Sequence, residues 1–172
     1  MSFFGKISGG GARGGGGAAD EGAGGGGGEA EGGGGAVGPD AAGAGQDNTT
    51  GLMFGGYDYG VPGPTGKTEQ FNGTNWTEVN DLNTGRREVT GDGIVTAALI
   101  FGGKAGTTIQ AITEDWNGVN WSEVADLSTA RELLGGAGTS TTALAFGGST
   151  GSDSAATEEW SQGTTIKTVD TD

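Results

Sequence analysis

The chain has 172 residues, of which 42 are Gly and 32% are hydrophobic, and its formal net charge is −14. A field of this sign repels nucleic-acid phosphate and anionic lipid, so we exclude nucleic acids and membrane surfaces as main partners. The chain has neither Cys nor His, which excludes disulfides, thiolate and imidazole metal sites, and His-based acid–base catalysis.

Residues 1–41 form a glycine-rich segment of low complexity. Such a segment has too few apolar side chains to offset the entropy of ordering it, so we predict a flexible tether. At its start, Phe3, Phe4 and Ile7 form a small apolar group that we interpret as an anchor for a partner; the alternative is an N-terminus without a role. This start is too short and too interrupted by Gly for a signal peptide.

Residues 42–172 contain one unit repeated three times, at a period of about 45 residues, and such a period is typical of stacked supersecondary units. Phe-Gly-Gly recurs at 54–56, 101–103 and 146–148, and Thr-Glu-x-aromatic recurs at 68–71, 113–116 and 157–160. We predict units at about 42–85, 86–130 and 131–172, with no helix.

Each unit is predicted to contain four antiparallel strands. A strand of small residues comes first, and an apolar strand follows that ends at a Gly pair, such as Gly102-Gly103 and Gly147-Gly148. The Thr-Glu-x-aromatic strand comes third, and an Asn-Gly turn leads to the fourth strand in the first two units. Small residues suit strands crowded near a central axis, which is the geometry of a propeller blade.

The Gly pair, the aromatic residue of the third strand and the Trp of the fourth strand (Trp76 and Trp121) resemble the kelch-type β-propeller family. The usual kelch Tyr is replaced here by Phe71, Trp116 and Trp160, and the loop after the Gly pair is longer. The repeats further resemble degenerate kelch-like repeats in virion and tail proteins of marine bacteriophages. The resemblance implies an all-β fold: three four-stranded antiparallel kelch-like blades preceded by the glycine-rich segment.

Three blades do not close a ring, because closed propellers typically have four to eight. An open array leaves strand edges and apolar blade faces exposed. We therefore predict a homo-oligomer, in which two chains would give six blades. The alternative is an open three-blade wedge covered by another protein.

Residues that recur at the same position of each repeat, which we call equal phase, are interpreted as structural. For Trp76, Trp116, Trp121 and Trp160 the choice is between sugar stacking and packing between blades, and the equal phase favours packing.

Arg86 and Arg131 could capture an anion or bond to a neighbouring blade, and the equal phase again favours the structural role. Five carboxylates are candidates for a calcium cluster. Their spacing matches no calcium loop, so we predict a solvated face and neither metal nor cofactor: Glu69, Glu114, Asp115, Glu158 and Glu159.

The loops after the Gly pairs differ between the units, and variable loops on a rigid scaffold are where binding sites are commonly found. The first loop carries Tyr57, Asp58 and Tyr59, the second Lys104 and the third Asp153. We interpret these residues as a candidate site for a glycan or a protein. The alternative is that the first loop is a spacer at an oligomer interface.

The functional hypothesis is a non-enzymatic virion structural protein. It would decorate a capsid or tail, or belong to a tail fibre, with other virion proteins as partners and a host glycan as the adhesion ligand. The alternative is a kelch-like carbohydrate- or protein-binding module of a bacterial surface assembly.

Overall fold

The computed structural model describes residues 38–169, with side chains as far as residue 163. The predicted anchor residues Phe3, Phe4 and Ile7 lie outside the described residues, as does residue range 1–37 of the predicted tether. The described chain is all-β, and no helix occurs between residues 38 and 169. The prediction of an all-β chain made of small antiparallel sheets is confirmed.

Sixteen strands follow one another along the chain. They are β1 (Ala42–Ala44), β2 (Gly51–Phe54), β3 (Tyr57–Asp58), β4 (Gly63–Pro64), β5 (Thr68–Phe71), β6 (Trp76–Glu78), β7 (Thr90–Ile94), β8 (Ala97–Phe101), β9 (Lys104–Ala105), β10 (Thr108–Ile109), β11 (Thr113–Trp116), β12 (Trp121–Glu123), β13 (Gly135–Gly138), β14 (Thr142–Phe146), β15 (Thr157–Ser161) and β16 (Thr164–Val169).

Three of the sheets have four antiparallel strands each. Their strand orders are β1-β2-β5-β6, β7-β8-β11-β12 and β13-β14-β15-β16, so each sheet is a simple meander. We call them the first, second and third sheets. The pairs β3-β4 and β9-β10 are two-stranded hairpins that project from the first two units.

The hairpins lie in segments that the sequence predicts to be loops. Tyr57 pairs with Pro64, and Lys104 pairs with Ile109, so the second and third main strands of these units are joined by small ribbons. In the third unit only an isolated bridge between Ser149 and Asp153 remains. Runs of two residues carry no detectable alternation, which is why sequence patterns miss them.

The inner strand of each main sheet is made of small residues because it is crowded. Strand β7 contacts both β1 and β13, the inner strands of the neighbouring sheets. A Cβ atom added at Gly91 would lie 2.6 Å from the ring of Phe54 and 2.8 Å from the carbonyl oxygen of Leu99. In the third unit the small-residue run 133–138 predicts the inner strand, but the strand begins at Gly135, since Leu133 has a φ of 54° and leaves the extended conformation.

The hydrophobic core lies between the sheets. Between the first and second sheets it comprises Leu52, Phe54, Leu82, Ala98, Ile100, Trp116 and Trp121. Between the second and third sheets it comprises Leu99, Phe101, Leu127, Leu134, Ala143, Ala145 and Trp160. Three of the four Trp residues are therefore buried between sheets, whereas Trp76 is half-buried on the outer face of the first sheet.

Candidate functional site

Arg86 is fully buried where the chain passes from the first sheet to the second. Its Nη1 donates to the carbonyl oxygens of Gly102 and Ile112, at 2.6 and 2.7 Å, and its Nη2 lies 2.8 Å from Oε1 of Glu114. Burial lowers the pKa of Arg86, and the ion pair with Glu114 opposes this shift. All of these bonds are made within the protein, so Arg86 ties a loop to the second sheet.

Arg131 repeats this arrangement one unit later. Its Nη1 donates to the carbonyl oxygens of Gly147 and Ala156, at 2.9 and 2.7 Å, and its Nη2 lies 2.6 Å from Oε1 of Glu158. Pro39, Arg87 and Glu132 are equivalent, because the carbonyl oxygen of each accepts from the backbone N–H of the residue after a Gly pair. Arg86 and Arg131 directly precede the last two of these residues, and Gly38 precedes Pro39. Gly38 therefore stands where an arginine would be before the first sheet. The buried arginine is therefore a feature of the second and third units.

The prediction of a solvated carboxylate face is wrong for Glu69, Glu114 and Glu158, which are buried. Glu114 and Glu158 are buried because each bonds an arginine and also accepts from a loop: Asn83 N at 2.8 Å and Ser128 N at 2.6 Å. Only Glu159 of the five candidate carboxylates is exposed, while Asp115 is half-buried and burial raises the pKa of its carboxyl.

No group of metal-binding side chains occurs among the described residues. Nor do those residues form any helix that could span a bilayer.

The hairpin β3-β4 carries the aromatic candidates of the first loop. The rings of Tyr57 and Tyr59 contact each other edge to face at 5.1 Å, and Tyr59 is 74% exposed. Asp58 shapes the turn, because its Oδ1 accepts from Gly60 N at 2.7 Å and Val61 N at 3.2 Å. These hydrogen bonds, together with Lys67 Nζ at 3.3 Å, lower the pKa of Asp58.

A polar cluster lies beside Tyr57 and joins all three units. The guanidinium of Arg87 lies over the Tyr57 ring, 5.2 Å from its centroid, which is a cation–π geometry. Arg87 and Lys104 exchange two backbone hydrogen bonds of 3.1 and 2.8 Å. Lys104 Nζ then lies 3.1 Å from Oε2 of Glu132, and Arg87 Nε lies 3.4 Å from Oε1 of Glu88. We call Tyr57, Arg87, Glu88, Lys104 and Glu132 the loop-face cluster.

Glu88 and Glu132 are two neighbouring carboxylates of the loop-face cluster. Burial raises the pKa of Glu88, and the interaction with the carboxyl of Glu132 raises it further, whereas Arg87 and Lys104 oppose the shift. The cluster thus combines two cations, a carboxyl pair and an aromatic ring at one place.

Strained backbone underlies the same cluster. Asp40, Glu88 and Leu133 have φ angles of 66°, 55° and 54°, in the left-handed region that non-Gly residues rarely adopt. Glu88 N donates to Asp40 O at 3.0 Å, and Leu133 N donates to Glu88 O at 2.9 Å, so one backbone series links the three units. Such strain persists only where the surrounding structure over-determines it.

The structure brings together two of the five predicted binding residues. Tyr57 and Lys104 both contact Arg87, whereas Asp58 pairs with Lys67 and Tyr59 projects beyond Tyr57. Asp153 forms a backbone bridge with Ser149, and within the described residues no hydrogen bond or ion pair joins it to the cluster.

Sequence reasoning missed Arg87, Glu88 and Glu132. They directly follow the recurring arginines, as Arg86-Arg87-Glu88 and Arg131-Glu132, and charged residues next to a structural residue at repeat phase are the signal that could have indicated them.

A cleft of about 340 Å³ opens between the second and third sheets at their outer edges. Val124, Ala125 and Trp160 give it an apolar wall, and Asp115 is its acidic residue. No Lys or Arg lines this cleft, whereas the loop-face cluster contains two cations. The loop-face cluster is therefore the stronger candidate site.

No protein-family model matches this chain, and no curated protein matches it. Among solved structures, the chain is similar to one described as the structure of YjhT, with a TM-score of 0.62 and 12% identity. The match covers 76% of this chain and 45% of the YjhT chain, so this chain spans less than half the length of that structure. At this identity the likeness shows the fold alone.

Proposed function

We propose that this chain is a non-enzymatic structural protein of a virion, in which kelch-like blades form part of a β-propeller. The observation that carries the proposal is the repeated Arg–Glu tie. The fully buried side chains of Arg86 and Arg131 each bond two backbone carbonyls and a glutamate of the later unit, while the carbonyl oxygen of each arginine accepts from a Gly N–H of the earlier unit. The buried charge of the chain thus serves architecture.

The propeller interpretation is supported by the inner strands. Strand β7 contacts β1 on one side and β13 on the other, as expected for blades arranged around an axis. The strand order of each sheet is the simple meander of a blade. The virion setting is supported by the resemblance of the repeats to phage proteins and by the acidic, glycine-rich composition.

The experiment is a search for the chain in purified particles. We expect mass spectrometry of banded virions to detect the chain at a fixed ratio to the capsid protein. An antibody against residues 42–172 should label the particle surface in electron micrographs. The control is the same density fraction from a host that expresses the chain but carries no phage genome, and a chain found only with host material would refute the virion role.

A carbohydrate- or protein-binding module of a bacterial surface assembly is the second candidate, and the loop-face cluster favours it. Tyr59 is 74% exposed beside Tyr57, and Arg87 lies over the Tyr57 ring. Exposed rings next to a cation suit sugar stacking and anionic glycans.

A glycan array tests this second candidate. We expect Tyr59→Ala to abolish a glycan signal that the unchanged chain gives. Val119→Ala, at another exposed apolar residue, should retain the signal. An array without signal for the unchanged chain refutes glycan binding and leaves the structural role intact.

A further inference from the structure

The middle of the three main sheets is buried on both faces. In β8, Ala98 and Ile100 pack toward the first sheet, while Leu99 and Phe101 pack toward the third. All four are completely buried. The second sheet therefore contributes one face to the interface with the first sheet and its opposite face to the interface with the third sheet.

The third sheet uses only one of these faces. In β14, the residues at the positions of Leu99 and Phe101 are Leu144 and Phe146. Leu144 is 40% exposed and Phe146 is 41% exposed, whereas Leu99 and Phe101 are 0% exposed. We call Leu144 and Phe146 the tail face. It has the chemistry of an internal interface and lacks a covering sheet among the described residues.

The first sheet carries the complementary half. In the second sheet, the residues that pack against the first sheet are Ala98, Ile100, Trp116 and Trp121. Their equivalents in the first sheet are Gly51, Met53, Phe71 and Trp76, which we call the head face. These four are half-buried, and the rings of Phe71 and Trp76 contact each other at 5.2 Å.

We propose that the tail face of one copy packs on the head face of a second copy, and that two chains close into a ring of six sheets. This deepens the proposed function, since it rests on the propeller interpretation and names the partner that completes it. The Phe54–Trp121 contact within the chain, with ring centroids 4.9 Å apart, is the template for Phe146 against Trp76 of the second copy.

Backbone hydrogen bonds continue the same pattern. Gly56 N donates to Arg86 O at 2.8 Å, and Gly103 N donates to Arg131 O at 2.8 Å. The next donor in this series is Gly148 N, and the equivalent acceptor is the Gly38 carbonyl oxygen of the second copy. The interface between copies would therefore combine apolar packing with hydrogen bonds whose in-chain equivalents already exist.

The number of copies follows from geometry. Closed propellers typically have four to eight blades, and six is the only multiple of three in that range. A head-to-tail contact closes into a ring when its rotation allows, and a two-fold ring uses both faces of both chains. The match covers 45% of the YjhT chain. The unmatched part of that chain is therefore about as large as a second copy of the three sheets.

The test begins with the mass of the full chain in solution. We expect sedimentation equilibrium and native mass spectrometry to give twice the 16.8 kDa of one chain. A charge placed on either face should weaken the dimer. Phe146→Asp, Leu144→Asp and Met53→Asp should each raise the dissociation constant at least about tenfold, the effect expected for a buried interface residue. Val119→Asp, at an exposed turn residue, is the matched control and should leave the dimer intact.

Mixing distinguishes a head-to-tail contact from a symmetric one. The Phe146→Asp chain keeps an intact head face, and the Met53→Asp chain keeps an intact tail face. Their mixture should form dimers through one unaltered interface, although each variant alone is monomeric. If two tail faces met each other instead, Met53→Asp would leave the dimer unchanged, and that result would overturn the proposal.

Folding of each variant is checked by near-ultraviolet circular dichroism, which reports the buried Trp residues. Leu144→Asp serves if Phe146→Asp fails to fold. A folded monomer of the unchanged chain, or an open polymer, would overturn the closed ring. The virion role is tested separately by particle labelling. A monomer found on particles would refute only the ring, and a dimer absent from particles would refute only the virion role.

Discussion

The buried arginines show how a single residue can hold two sheets together. Arg131 and Glu158 are removed from solvent together, and their remaining donors and acceptors are mostly satisfied by backbone groups. Burying a charged pair is costly, but breaking it costs more, because the remaining charge is then left without a partner. The energetic role of Arg131 therefore differs from that of a surface lysine.

Replacing Arg131 by Met should lower the free energy of unfolding by about 3–5 kcal/mol, since Glu158 would stay buried without its cation. Denaturant unfolding followed by Trp fluorescence measures the change. The control is Lys67→Met, which removes a surface pair with Asp58 and should change the free energy by less than about 1 kcal/mol. Equal losses in the two variants would contradict the structural role of the tie.

Glu88 gives a prediction about pH. Because its pKa in the folded protein is raised above the ordinary 4.5, its contribution to stability is complete below that value and is lost as pH rises through the folded pKa. Glu88→Gln cannot lose a proton, so we expect its stability relative to the unchanged chain to increase from about pH 4.5 toward neutrality. Unfolding curves at a series of pH values test this, with Glu78→Gln as a control that removes one exposed charge.

At the scale of the strand, close packing of a neighbouring sheet can require glycine, just as a tight turn can. Gly43, Gly91 and Gly136 occupy the same position in the three inner strands. Their surroundings differ: a Cβ atom at Gly91 would meet the Phe54 ring at 2.6 Å, whereas one at Gly43 would meet only the Leu52 carbonyl oxygen at 3.3 Å.

Gly91→Ala should therefore destabilise the protein by about 1–3 kcal/mol, the usual effect of overpacking. Gly43→Ala, at the matched position of the first sheet, should change the free energy by less than about 1 kcal/mol, because only one contact is tight and the unfolded chain loses entropy. Thermal unfolding of both variants compares the two positions directly. A larger loss for Gly43→Ala would show that the inner strands are packed in a different order.

At the scale of the whole molecule, the main sheets contact each other in sequence, and in the proposed dimer the two outer faces pack against those of the other copy. Each chain carries a net charge of −14, so two copies repel each other while their apolar faces attract. Added monovalent salt screens this repulsion.

The dissociation constant of the dimer should therefore fall as salt is added, and sedimentation at a series of ionic strengths measures it. Phe146→Asp should lose dimerisation at every ionic strength. A dissociation constant that rises with salt would mean that opposite charges hold the copies together, and the apolar contact between head and tail faces would be wrong.

The all-β class and the main strands could be predicted from the sequence, because their signals are local. A Gly pair closes each apolar strand, and the apolar run 96–101, which predicts the strand of the second unit, differs from the observed Ala97–Phe101 by one residue. Small residues in β7 and β13 likewise indicate crowding without any knowledge of the neighbours. The repeat period then extends the interpretation from one unit to the others.

Only the tertiary structure decided which polar residues meet. Glu114 and Glu158 could be taken for solvated residues, because nothing in a Thr-Glu strand indicates an arginine 28 or 27 residues away. The loop-face cluster likewise draws Tyr57, Lys104 and Glu132 from three different units. Stacking of the sheets determines these contacts, because it brings together side chains that no local pattern relates.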